Sequence, residues 1–195
     1  MNKRIARRAA AVGAAIALML AAALALVPGR ATADPNNASG TWELHLEVPN
    51  VAMASNGDTL ALTGMGVFST HPKTVTASGA FTHNVAGGGT FTGTWTATDL
   101  LSFEFYGCGV IPSTGATLPP NFCGGALKMR AVFTPAGTSL TIPGIITVFC
   151  VIGPQAPPPH DNPTEPGEEG ATAVVPGIAN FNKIVSGMNV YIQTS

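Results

Sequence analysis

Thr90-Phe91-Thr92-Gly93-Thr94-Trp95-Thr96-Ala97-Thr98 decides the fold of this chain. Five threonines alternate with Phe91, Gly93, Trp95 and Ala97. A period of two puts each set on its own face of a strand, whereas a helix would scatter both around its axis. Threonine, branched at Cβ, favours the pleated backbone. The stretch reads as a strand with one face toward a core and a row of hydroxyls toward water.

The same alternation recurs on both sides. Upstream, Trp42, Leu44, Leu46 and Val48 alternate with Thr41, Glu43, His45 and Glu47. Asn56-Gly57-Asp58 then signals a tight turn. Strands are expected over Leu60 to Phe68 and Thr74 to His83, separated by a turn at His71-Pro72-Lys73. Gly87-Gly88-Gly89 turns the chain into the threonine strand. Downstream, Asp99 marks a short break before Leu100 to Tyr106. A Gly/Pro-rich loop spans Gly107 to Gly125. Strand pattern returns at Ala126 to Thr134 and at Ile145 to Ile152, where Pro143 and Gly144 limit the start. Ala171 to Val175 and Met188 to Ile192 are weaker strand segments. About eight short strands with tight turns predict an all-β domain, a single antiparallel barrel or sandwich.

A short element, glycine–any residue–aromatic, recurs at Gly40, Gly66, Gly79, Gly89 and Gly93. Glycine admits a bend and the aromatic covers it, which is strand chemistry. Aromatic platforms for a sugar are the functional reading of the same pattern.

The N-terminus has a different logic. Lys3, Arg4, Arg7 and Arg8 precede an apolar run from Ala9 to Val27, then Pro28-Gly29 and Ala31-Thr32-Ala33. Charge, apolar segment and small-residue site in that order predict a signal peptide, residues 1–33, cleaved after Ala33. Arg7-Arg8 leaves twin-arginine export open beside the general route. The β domain then covers 34–195 and folds in a secreted or extracytoplasmic setting. An uncleaved anchor is the alternative, but alanine makes a weakly hydrophobic span.

Cleavage leaves four basic residues, Lys73, Lys128, Arg130 and Lys183, against ten acidic ones, a net charge of −6. So few cations cannot neutralise many phosphates, which argues against nucleic acid and against electrostatic attachment to anionic membranes. No stable membrane insertion is expected after cleavage, and the sequence does not specify an oligomeric state. Gly153 to Gly170 holds six prolines and four acidic residues. It is expected to be an exposed acidic loop that contributes little to the core.

Three cysteines suit an oxidising compartment. Cys108 and Cys123 flank the Gly/Pro-rich loop, and a disulfide between them would remove about 3 kcal/mol of unfolded-state entropy. Cys150, in an apolar strand, is then a buried free thiol. Pairing of Cys150 with either loop cysteine is the alternative.

Candidate chemistry is sparse. Glu43, His45 and Glu47 share a strand face and are potential metal ligands. Neighbours on such a face lie about 7 Å apart, too far to share a small metal easily, so a polar face paired with Lys128 and Arg130 is the plainer reading. Glu104 interrupts an apolar strand. Burial would make it an acid or base, while alternation with Phe103 and Phe105 turns it to solvent. Glu104, Tyr106, Lys128 and Arg130 are the candidates for a catalytic set, should they converge. G-x-S-x-G, H-E-x-x-H, P-loop and dinucleotide fingerprints are missing, and no cofactor is implied.

Ser39-Gly40-Thr41-Trp42, Asn56-Gly57-Asp58-Thr59, Gly93-Thr94-Trp95-Thr96-Ala97, Leu100-Leu101-Ser102-Phe103 and Phe181-Asn182-Lys183 together resemble a group of uncharacterised small secreted bacterial all-β proteins. The resemblance covers most of the chain after residue 33 and implies no activity. The strand count is also similar, at the level of fold alone, to small barrels such as lipocalins, dirigent proteins and allene oxide cyclases. The leading expectation is a secreted non-enzymatic β domain that binds a small apolar ligand or serves in the cell envelope. The alternatives are an isomerase or cyclase using a barrel cavity, and an adhesive or structural surface protein.

Overall fold

The computed structural model describes residues 39–158 and 168–195. Residues 1–33, expected from sequence to be a signal peptide, and His160 with its neighbours in the acidic loop lie outside the described residues.

The described chain is all β, one large antiparallel sheet closed into a ring. Its strands are β1 (Thr41–Ala54), β2 (Thr59–Thr70), β3 (Lys73–Asn84), β4 (Thr90–Cys108), β5 (Val110–Ile111), β6 (Ala116–Thr117), β7 (Phe122–Pro135), β8 (Ile142–Cys150), β9 (Gly170–Val175), β10 (Ala179–Ser186) and β11 (Asn189–Gln193). β5 and β6 form a small separate ribbon inside the 107–125 loop.

The ring changes width along its axis. Near the β1–β2 turn, β1-β2-β3-β4-β7-β8-β9-β10 closes on itself, because β10 pairs with Val51 to Ala54 of β1. Toward the other end β11 takes over, pairing with Trp42 to Leu46 of β1 and with Phe122 and Cys123 of β7. One strand thus bridges what three strands span above. An eight-stranded ring leaves an interior wide enough for side chains or one small ligand. The narrower base is filled with aromatic rings. Trp42 stacks on Phe68 with centroids 5.3 Å apart, and Phe103 meets Phe68 at 4.8 Å and Tyr191 at 5.3 Å.

β3 and β4 pair only from Ser78 and Thr96 upward. Below that level they part, and Lys73 Nζ donates to the Leu101 carbonyl at 3.2 Å. The expected break at Asp99 is a bulge inside one nineteen-residue strand, since the β4–β7 register shifts between Ala97 and Asp99. Val48, expected on the buried face, is 41% exposed because Glu47, Val48 and Pro49 bulge out between Leu46 and Asn50. The pairing of the Glu43 face with Lys128 and Arg130 does not occur, because β11 stands between β1 and β7.

The glycine–aromatic pattern has a packing cause. Phe81 pairs with Gly93 across β3 and β4. A Cβ at Gly93 would lie 2.6 Å from the Phe81 ring, and one at Gly64 would lie 2.6 Å from Trp95. Rings occupy the space that missing side chains leave, which lets the sheet curve tightly. Trp95 also donates its indole N–H to the Thr63 carbonyl at 2.9 Å.

Cys108 and Cys123 are cross-strand neighbours of β4 and β7 and form the disulfide. Cys150 is free and buried at the end of β8.

Candidate functional site

Four hairpin connections, residues 55–58, 85–89, 136–141 and 176–178, gather at the wide end of the ring. They surround an open cavity of about 330 Å3. Each strand from β2 to β4 and from β7 to β10 contributes to its wall: Leu60, Phe81 with His83, Phe91, Phe133 with Pro135, Ile142, Val175 and Phe181. Thr138, Leu140 and Ile178 complete the rim. Alternation along the strands aims these side chains inward, and the aromatic plug at the base stops short of them. The wall is almost wholly carbon, so the hydrophobic effect is the interaction it offers.

His83 is the polar residue of that wall. Its Nε2 lies 3.0 Å from Asp58 Oδ2, and Asp58 Oδ1 accepts the Ala86 backbone N–H at 2.9 Å. The Ala86 hydrogen bond first, then that of His83, hold the Asp58 carboxyl below its usual range. The ring of His83 also packs edge-on to Phe181 at 5.3 Å. This pair ties the β1–β2 turn to the β3–β4 turn across the rim. In the sequence His83 ends an expected strand and Asp58 belongs to an expected turn; twenty-five residues separate them, and only the β2–β3 register brings them together.

A second polar centre lies at the narrow end. Glu169 accepts the backbone N–H of Val151 at 2.8 Å and of Asn189 at 2.6 Å. Asn189 Nδ2 donates to Asn50 Oδ1 at 2.9 Å, and Cys150 Sγ lies 3.1 Å from the Asn189 carbonyl. Burial pushes the Glu169 carboxyl up to about 7, against the two backbone hydrogen bonds that lower it. Burial also raises Cys150, disfavouring the thiolate a nucleophile needs. The described ends of the 153–170 segment therefore differ from a loop without buried contacts. The Gly153 N–H donates to the Val110 carbonyl and the Gln155 N–H to the Tyr106 carbonyl, while Glu169 is enclosed.

The sequence candidates do not converge. Glu104, Lys128 and Arg130 are exposed on the outer face, alternating with inward Phe103, Phe105, Leu127 and Met129. Tyr106 is buried, its phenol pushed up to about 12 mainly by burial. None of the four lines the cavity. Glu43 and His45 contact each other at 3.2 Å on the outside of β1. Among the described residues no three His, Cys, Asp or Glu side chains are placed to hold a metal. No described helix is long and apolar enough to cross a membrane.

Compared with known protein families, curated proteins and solved structures, the chain matches none.

Proposed function

We propose that this protein is a secreted, non-enzymatic β-barrel that binds a small apolar molecule in the cavity at its hairpin end. The cavity carries this reading: about 330 Å3 of carbon-lined space opening to solvent above an aromatic plug. That volume is at the lower end of the range for ligand pockets and about twice a cavity of ~150 Å3 that takes benzene. A signal-like start and a disulfide support an extracytoplasmic setting. The cyclase or isomerase alternative loses its proposed residues, since Glu104, Lys128 and Arg130 stand outside the barrel.

Fluorescence of N-phenyl-1-naphthylamine tests the reading. The dye brightens when it leaves water, and the exported protein is expected to enhance it saturably. Ile142→Trp, which narrows the cavity from β8, is expected to weaken the enhancement while the thermal melt stays cooperative. Equal enhancement by both proteins, or none by either, contradicts the proposal. N-terminal sequencing of the exported form checks the setting: it is expected to begin Asp34-Pro35-Asn36.

A further inference from the structure

We infer that the hairpin end docks on a lipid bilayer and that the cavity takes a segment of one acyl chain from it; this deepens the cavity reading and rests on it.

The rim supplies the first reason. Phe91, Leu140 and Ile178 sit at or beside the turns of three different hairpins and are 56%, 57% and 50% exposed. All three also line the cavity, so its interior and the outer rim form one apolar surface. Large side chains grouped around one opening mark an interaction surface, unlike the same residues scattered singly.

Charge supplies the second. The four connections carry a single ionisable group of the Asp/Glu/Lys/Arg kind, Asp58, which is 6% exposed and engaged by Ala86 and His83. The other described charged residues lie on the strand walls or toward the narrow end, with Lys183 on β10 two residues past Phe181. A protein partner is met by a polar rim and direct hydrogen bonds. A rim whose one carboxylate is already enclosed and hydrogen-bonded enters hydrocarbon with little further charge to desolvate.

The backbone supplies the third. A loop that leaves water must satisfy its own N–H and C=O groups. Here each turn closes one such pair within itself: the Gly57 N–H donates to the Ala54 carbonyl, Gly88 to Val85, Thr138 to Pro135 and Ile178 to Val175.

Size and charge fix the ligand. Six carbons in about 150 Å3 scales to roughly twelve carbons in this cavity, and the open mouth lets a longer chain continue outward. The four connections hold no lysine or arginine, Lys183 on the β10 wall being the one nearest them, and the processed chain is acidic, so neutral lipid is the surface the rim fits.

Flotation with phosphatidylcholine vesicles tests the inference, with native mass spectrometry of the floated protein for bound lipid. The exported protein is expected to float equally at ~0.1 M and ~1 M salt, to gain nothing from added phosphatidylglycerol, and to carry one lipid. A variant with Phe91→Ser, Leu140→Ser and Ile178→Ser is expected to partition about a hundredfold less, each half-exposed side chain contributing a factor of roughly five. Phe91→Ser alone, expected to lose about fivefold, keeps the test valid should the triple variant not fold. Ile142→Trp is expected to float with less bound lipid than the parent protein. Failure to float by a protein that still brightens the naphthylamine dye overturns the docking and leaves the cavity reading intact. Failure of both overturns both. Flotation that needs anionic lipid and collapses in salt overturns it too. A dimer that the rim substitutions dissociate would show a second copy as the occupant, and likewise overturns it.

Discussion

Raising the pH from about 5 to about 8 is expected to destabilise this protein through Glu169. Its carboxyl bridges the end of β8 and the start of β11 by accepting the Val151 and Asn189 N–H groups. Burial raises it from 4.5 in a free chain to about 7 in the fold. Between those values the folded protein keeps the proton and the unfolded chain has lost it. Stability that is full below about pH 4.5 therefore declines as pH rises, until the folded group has ionised near pH 7. A gap of about 2.5 units corresponds to about 3 kcal/mol, an upper figure because Glu169 retains some contact with water. With a urea dependence of about 2 kcal/mol per molar, the midpoint is expected to fall by about 1–1.5 M. Urea titration followed by tryptophan fluorescence reads this directly, since Trp42 and Trp95 are fully enclosed. Glu169→Gln is expected to flatten the profile over that window while losing one acceptor, at a cost of about 1–3 kcal/mol near pH 5. Asp58 acts in the opposite sense at lower pH: its carboxyl is depressed, so the stability it contributes is present above its unfolded value and lost as pH falls. Maximum stability is thus expected near pH 5. A wild-type midpoint that is the same at both pH values, or an equal slope in Glu169→Gln, refutes the reasoning.

Other expectations follow from the packing. Thiol labelling of the denatured, unreduced protein is expected to modify one cysteine, Cys150, and labelling of the native protein to be slow because that thiol is buried; three labels would contradict the disulfide. Reduction of Cys108–Cys123 is expected to cost about 3 kcal/mol by loop closure, read as a lower urea midpoint. Gly79→Ala places a Cβ 1.8 Å from the Thr63 carbonyl oxygen, so β2 and β3 must separate there; a loss of about 2–3 kcal/mol is expected, and a neutral result would disprove the close approach. Narrowing the cavity by Ile142→Trp is expected to weaken dye binding without lowering the thermal midpoint much, because the added ring enters open space.

The sheet was legible because a period of two is a local property. The run from Thr90 to Thr98 states its strand without reference to anything distant, and so do Trp42 to Leu46 and Ala126 to Thr134. The disulfide was legible for a related reason: Cys108 and Cys123 close a short loop between adjacent strands. Where local pattern failed, register decided. β10 escaped sequence reading because its buried residues, Phe181 and Ile184, stand three apart, and the β1–β10 register shifts absorb the odd step. Asp99 read as a break because a bulge and a strand end look alike in one chain. Glu169 read as one of four solvated carboxylates, and its neighbours Val151 and Asn189 are 18 and 20 residues away. The sequence by itself determined that this chain forms strands, and for most of them which face is buried and where the chain turns, since each follows from side chains a few residues apart. Only the tertiary structure decided that eight strands close at one end while β11 narrows the other. That taper leaves the cavity at the hairpin end and the aromatic plug at the base, and it sets His83 against Asp58. Such outcomes depend on pairing between distant strands, where the free energy is summed over the whole ring rather than written into any one segment.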